Sequence, residues 1–259
     1  RVMTVLNEII AGVREDLAER RIPLAQLHDA VASAHPVRDA LAALSGEGIS
    51  IIAEVKRSSP SKGALAEISD PAALAKIYQD AGASVVSVLT EKRRFGGSLD
   101  DLVAVRNAIT IPVLRKDFMV DEYQFYEARA HGADMVLLIV AALSVSQLRD
   151  FAALTRELGM QSLVEVHTED ELVRALEISP QIVGVNSRNL KTLEVDQEVF
   201  ASLIPQIPNH IICVAESGIT TRSDVEFAQK SGANVILVGE ALVRGSDPAA
   251  TMRALLGQG

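Results

Sequence analysis

The chain has 259 residues and a formal net charge of −9; it is 48% hydrophobic but only 3% aromatic, with no tryptophan. That length suits one large α/β domain or two smaller ones, since single barrels commonly reach about 250 residues, and an Ala, Val, Ile and Leu core is what parallel strands covered by helices require. The acidic balance argues against a nucleic-acid or anionic-membrane partner, so an anionic substrate has to meet a local basic cluster.

The lone Cys213 sits in the apolar run from Ile211 to Ala215. It excludes an internal disulfide, reads as a buried small hydrophobe and points to a reducing compartment. No basic start leads into an apolar core at the N-terminus, and the longest uncharged run, Met135 to Leu148, is too short and too polar to span a bilayer. A cytoplasmic protein is expected. Arg1 and Val2 precede Met3, which reads as a natural start, so the two are taken as ragged or altered ends.

Val5, Leu6, Ile9, Ile10, Val13 and Leu17 recur at helical spacing, with Glu8, Arg14, Glu15, Asp16 and Glu19 on the other face. Pro23 suits the first turn of a second helix carrying Leu24, Leu27 and Val31, which the pre-proline His35 and Pro36 terminate. A third short helical piece runs from Val37 to Leu44. These faces are apolar on one side only, so residues 1–47 are expected to be a helical extension packed on the domain that follows, within a single domain spanning 1–259.

From Ile49 the pattern changes to short apolar runs alternating with amphipathic segments. The predicted strands are Ile49–Val55, Ser84–Thr90, Pro112–Lys116, Asp134–Val140, Gln161–Val166, Gln181–Asn186, His210–Glu216 and Asn234–Val238. Helices centre on Leu74, Leu102, Tyr126, Leu148, Leu172, Phe200, Val225 and Ala250. In the strings AGASVV, HGADMV and SGANVI a glycine stops the helix before a tight turn into the next strand. Eight such units match a closed (β/α)8 TIM barrel better than an open doubly wound sheet, and no GxGxxG follows the first strand.

In such a barrel the reactive groups belong at the C-terminal strand ends. Strand one ends in Glu54 and Lys56, strand three in Arg115, Lys116 and Asp117, strand five in Glu165 and His167, strand six in Asn186 and Arg188, and strand seven in Glu216 and Ser217. Any one of these also reads as a helix cap or a surface ion pair. Together they read as an acid/base set, in which the repulsion of Lys56 and Lys116 lowers a lysine pKa and neighbouring carboxylates oppose that. Ser217-Gly218 and Gly239-Glu240 follow the last two strands, where barrels often assemble a phosphate cradle, and Glu240 then has to point away from the phosphate. The loop Arg57–Gly63, with Ser58, Pro60, Ser61 and Lys62, can line the mouth and move about Gly63. Phe95 and Phe118, both in mouth loops, suggest a planar or aromatic substrate.

The motifs IIAEVKRSSPSKG, FGGS, VLRKDF, ADMVLLIV, LVEVH, VGVNSRNL and VAESGI, spread over nearly the whole barrel, closely resemble those of the indole-3-glycerol phosphate synthase family, as does the N-terminal extension. The resemblance implies an indole-3-glycerol phosphate synthase activity, a carboxy-lyase of tryptophan biosynthesis. It closes the ring of 1-(2-carboxyphenylamino)-1-deoxyribulose 5-phosphate with loss of CO2 and water, with no cofactor and no metal.

By motif, the resemblance makes Lys116 the general acid, Glu165 the general base of the dehydration, and Lys56 the holder of the substrate carboxylate. Glu54, Asn186 and Glu216 position the lysines and substrate groups. Ser217, Gly218 and Gly239 bind phosphate; Phe95, Phe118, Pro60, Leu138 and Leu190 wall the aromatic ring; Ser58, Ser61 and Arg188 complete the substrate-binding set. Glu240 stands where this family often has a small polar residue.

Two other readings stay open at this level. A lysine at a barrel strand end also serves a Schiff-base aldolase, and a barrel can be a scaffold without chemistry. The absence of a long apolar stretch beyond the barrel's helices predicts a monomer.

Overall fold

The computed structural model describes residues 3–259, so the expectation about Arg1 and Val2 lies outside the described residues. Eight parallel strands close on themselves: β1 (Ser50–Val55), β2 (Val85–Leu89), β3 (Val113–Lys116), β4 (Met135–Ile139), β5 (Gln161–Val166), β6 (Ile182–Asn186), β7 (Ile212–Glu216) and β8 (Val235–Val238). Each strand pairs with its successor in sequence, and β8 returns to β1 with Ser50 opposite Val235. The expected (β/α)8 barrel is therefore the observed one. Ile51, Ile52, Val85, Val86, Leu114, Val136, Val183 and Ile236 are all fully buried, because each strand has packed neighbours on both faces.

The helices on the outside are α4 (Pro71–Asp80), α5 (Leu99–Ala108), α6 (Glu122–Ala130), α7 (Val145–Glu157), α8 (Glu169–Leu176), α9 (Glu198–Leu203), α10 (Arg222–Ser231) and, after a short α11 (Glu240–Arg244), α12 (Pro248–Leu255). At most of their N-termini a capping side chain satisfies a free N–H group. Asp121, Ser144 and Thr221 form reciprocal capping boxes with Gln124, Gln147 and Asp224. Gly82, Gly132 and Gly232, the three predicted helix stops, adopt φ of +105°, +92° and +117°.

Before the barrel come α1 (Val5–Arg20), α2 (Leu24–Ala32) and α3 (Ala40–Ala43). The third is shorter than the predicted Val37–Leu44, and α2 stops at Ala32 with Ser33 as its cap, ahead of His35-Pro36. Pro23 precedes the first turn as the N-cap, with ψ of 137°. Leu6, Ile9 and Val13 of α1 join the barrel's own core cluster, while Leu17 and Leu27 pack on Tyr123 of α6.

Arg115 departs from its expected place at the mouth. β3 alternates, so Lys116 faces the barrel axis while Arg115 points outward beneath α6, fully buried. There its guanidinium donates to Thr90 Oγ1, the Gln124 carbonyl, Asp117 Oδ2 at 3.3 Å and Glu127 Oε1 at 2.9 Å. Arg20 of α1 grips the same Glu127 with two bonds of 2.8 Å. Burial alone would raise the Glu127 pKa, but the two arginines outweigh it and hold the carboxyl below its ordinary value.

Candidate active site

The strands deliver their polar ends to a partly open cleft at the C-terminal mouth, the place where barrels of this kind carry their sites. Lys56, Lys116, Glu165, Asn186, Arg188 and Ser217 all line it. Its base is a charged chain. Lys116 Nζ donates to Glu54 Oε2 at 3.1 Å and stands 3.9 Å from Glu216; Lys56 Nζ is 3.5 Å from the other Glu54 oxygen. Ser87 Oγ also donates to Glu54, at 2.8 Å.

These contacts set the charge states. Burial penalises Glu54, but the flanking lysines and Ser87 more than compensate and keep its pKa below normal. Burial likewise disfavours the Lys116 ammonium, yet Glu54, Glu216 and Glu165 together raise its pKa above the ordinary lysine value. Lys56 goes the other way: burial dominates over Glu54, and Lys116 repels it, so its pKa is lowered. Glu216, buried and beside Glu165, is pushed well above the carboxylate range. Two adjacent buried carboxyl groups cannot both be charged cheaply, so Glu216 is displaced toward its neutral form.

Gly184 of β6 makes room for this arrangement. A Cβ there would lie 2.2 Å from Glu216 Oε2 and 3.1 Å from Leu163, so Gly184→Ala has to displace the Glu216 carboxyl. That variant is expected to lose at least about tenfold in kcat while its melting profile moves much less, which paired kinetics and thermal melts will check.

Above the charged base the walls are apolar. Phe95 and Phe118 meet with ring centroids 6.0 Å apart, and Pro60 and Leu190 complete that side. Ser61 lines the cleft too. Leu138 does not: β4 alternates, Ile139 is opposite Glu165, and it is therefore Leu137 and Ile139 that face the cavity while Leu138 packs outward. Ser58 is also turned away, donating to the Arg94 carbonyl at 2.9 Å, and Ser59 takes its place in the lining. The Arg57–Gly63 loop forms a small hairpin in which Ser58–Ser59 pairs with Gly63–Ala64.

Where the sequence predicts a phosphate cradle, Ser217 and Gly218 both adopt left-handed backbone, each with φ of +72°. Ser217 Oγ donates to Asn186 Oδ1 at 2.8 Å. Gly218 and Gly239 lie behind the cavity surface instead of lining it; a Cβ on Gly239 would crowd Glu54 at 3.1 Å. Glu240 was required to point away, but it lines the cleft. Lys62 at 3.0 Å and Arg244 at 3.4 Å hold its carboxylate there.

Several lining residues escaped the sequence reading. Leu6 and Ile9 of α1 close one side of the cleft, yet along the chain they are members of an ordinary helical stripe. Leu137 and Ile139 could have been chosen over Leu138 from the two-residue period once Glu165 was assigned to the inner face. Another cleft, between α1 and the loop after β2, is lined by Asp16, Glu19, Glu91, Asp100 and Asp117 against Arg20 and Lys92. Its acidic surplus disfavours an anionic substrate. Among the described residues no group of three or more His, Cys, Asp or Glu side chains could hold a metal ion, and no helix is long and apolar enough to cross a membrane.

A parallel eight-stranded barrel with opposed lysines and carboxylates at its C-terminal mouth defines an acid/base enzyme of the (β/α)8 class. The family profile for indole-3-glycerol phosphate synthase matches residues 6–255. The chain is 58% identical to an indole-3-glycerol phosphate synthase of Arthrobacter sp. (strain FB24) over 95% of this chain and 93% of that protein. It is 55% identical to indole-3-glycerol phosphate synthase 1 of Streptomyces coelicolor, over 99% and 96%. A crystal structure of 3-hexulose-6-phosphate synthase superposes with a TM-score of 0.66 at 17% identity, covering 81% of this chain and 99% of that one, and shares the fold. The chain belongs to the indole-3-glycerol phosphate synthase family.

Proposed function

We propose that this chain closes the indole ring of 1-(2-carboxyphenylamino)-1-deoxyribulose 5-phosphate, releasing CO2 and water. The observation that carries the reading is the placement of Lys116 and Lys56 around one buried carboxylate, Glu54, in a cleft that also holds Glu165 and two phenyl rings. Phe95, Phe118, Pro60 and Leu190 sandwich the anthranilate ring, and Arg188 with the Ser217 turn receives the phosphate. Ser61 and Asn186 contact the sugar hydroxyls.

Lys116, kept protonated by the acidic side chains around it, Glu54 foremost, gives its proton to the carbonyl oxygen as the ring carbon bearing the carboxylate attacks the carbonyl carbon. Loss of CO2 from that carbon restores aromaticity. Lys56 holds the carboxylate until it leaves, then donates a proton to the departing hydroxyl. Glu165 takes the proton from the adjacent methylene, and the double bond of the new ring forms as water departs. Glu54 and Glu216 position the lysines throughout. The raised pKa of Lys116 runs against a Schiff-base role for that lysine, because an amine must be neutral to attack a carbonyl.

The chain works as a monomeric cytoplasmic enzyme, one barrel domain with residues 1–47 as its extension. Burial of Leu6, Ile9 and Val13 in the barrel's own cluster supports that unity. Incubating the purified protein with the substrate in metal-free buffer is expected to produce indole absorbance and fluorescence; a borohydride-trapped adduct on a lysine without indole would overturn the reading. Because the Lys56 pKa is lowered, its ammonium is lost at a pH below the ordinary lysine value. KM is therefore expected to rise and kcat to fall together on the alkaline side, at a pH below the ordinary lysine value, as steady-state profiles will measure.

A further inference from the structure

We propose that His167, held by Glu171, is a positioning residue for Glu165 that takes over the proton Glu165 removes from the substrate. The inference rests on the role given to Glu165 above and extends it to a side chain that does not line the cleft.

His167 follows the end of β5, two residues beyond Glu165, so the pleat turns both side chains to the same side. Its ring lies between two carboxylates. Nδ1 is 3.0 Å from Glu171 Oε1, and Nε2 is 3.5 Å from Glu165 Oε2. The first contact is built. Glu171 sits in the first turn of α8, accepts the His167 backbone N–H at 3.1 Å and receives the Thr168 hydroxyl at 3.3 Å. An acceptor fixed in that way assigns the imidazole proton to Nδ1 and leaves the Nε2 lone pair facing Glu165. The second contact is open: Nε2 is buried and has no hydrogen-bond partner. An orphaned buried nitrogen is costly unless something fills it during function.

Protonation of Glu165 fills it. When Glu165 takes a proton from the substrate, its new O–H faces the Nε2 lone pair and can pass the proton across. The O–H bond breaks, an N–H bond forms, Glu165 returns to carboxylate, and the imidazolium is paired with Glu171 on its other side. Release of that proton to water resets the ring, whose side chain is 9% exposed. Glu165 and Glu171 are the charged groups that face the ring. The Val140–Ala142 turn packed on α8 brings only apolar side chains. Burial would lower the His167 pKa, but Glu171 and Glu165 outweigh it and raise it. Below that raised pKa the ring already carries the proton and cannot take another, so turnover loses a step on the acid side.

The test combines histidine NMR with kinetics on the full chain. His167→Asn assigns the ring resonance by its disappearance. In the parent protein this resonance is expected to titrate above the ordinary histidine value, and Glu165→Gln and Glu171→Gln should each bring its midpoint down. In kinetics, kcat of His167→Asn and His167→Gln is expected to fall at least about tenfold and to lose the acid limb, while Glu171→Gln moves that limb to lower pH. A midpoint indifferent to Glu165→Gln, or an acid limb unchanged in His167→Asn, would overturn the proposal. The NMR coupling requires no turnover, so a protein that makes no indole but shows the coupling would count against the ring-closure reading and leave the His167–Glu165 pairing standing.

Discussion

Lys116→Ala is expected to fold normally and to lose about 10² to 10⁴ in turnover, the usual contribution of a positioned general acid. The loss should appear in kcat more than in KM, because the ammonium acts on the carbonyl oxygen only as charge develops there. Folding should survive because the neighbours keep partners. Glu54 retains Ser87 at 2.8 Å and Lys56 at 3.5 Å, and Glu216 is already displaced toward its neutral form. Removing the ammonium also lowers the cost of a neutral Glu54, so any stability change should depend on pH. Steady-state kinetics on indole formation, beside circular-dichroism melts, separate the two effects. Near-normal turnover in a folded variant would take Lys116 out of its role.

Arg115→Met is expected to be strongly destabilising, about 3–5 kcal/mol, because it leaves the buried Asp117 carboxylate without its cation and strips Glu127 of one of two. Arg115 is fully buried, while Asp117 and Glu127 are 5% and 3% exposed. Glu127 keeps Arg20, but Asp117 keeps only the Thr90 hydroxyl and the Phe118 N–H. At roughly 2–4 °C per kcal/mol for a domain of this size, the melting temperature should fall by about 6–20 °C. Activity at low temperature should suffer less than stability, since Asp117 is the one cleft-lining side chain that Arg115 is seen to bond. A variant that melts like the parent would show that the network under α6 carries little of the fold's stability.

Both expectations concern neighbours in the chain whose roles diverge because β3 is pleated. The letters Arg-Lys-Asp could be read as one basic cluster at a strand end, and the chain's order offers nothing to separate them. Once β3 pairs Leu89 with Lys116 and Val88 with Arg115, alternate residues must face the axis and the helices in turn. The same rule moved the apolar wall from Leu138 to Leu137 and Ile139. In each case periodicity contained the answer, provided one residue of known facing was used as the reference.

Much was legible without coordinates. Apolar runs, three of them preceded by a helix-stopping glycine, located all eight strands to within a residue or two, because parallel strands buried on both faces have to be continuously hydrophobic. The polar strand ends marked Lys56, Lys116, Glu165, Asn186, Arg188 and Ser217, which the closed barrel gathers into one cleft. What composition and spacing left undetermined were contacts across large sequence separations. Leu6 and Ile9 line a cleft whose lysines come from β1 and β3, and Glu240 is drawn into that cleft by Lys62. The opposite shifts of Lys56 and Lys116 depend on which carboxylates surround each amine after closure. Local order along the chain therefore determined the barrel, its strand ends and its chemical class. Only the closed barrel decided which side chains face one another, because burial and ångström-scale distances between charges exist only once the strands have met.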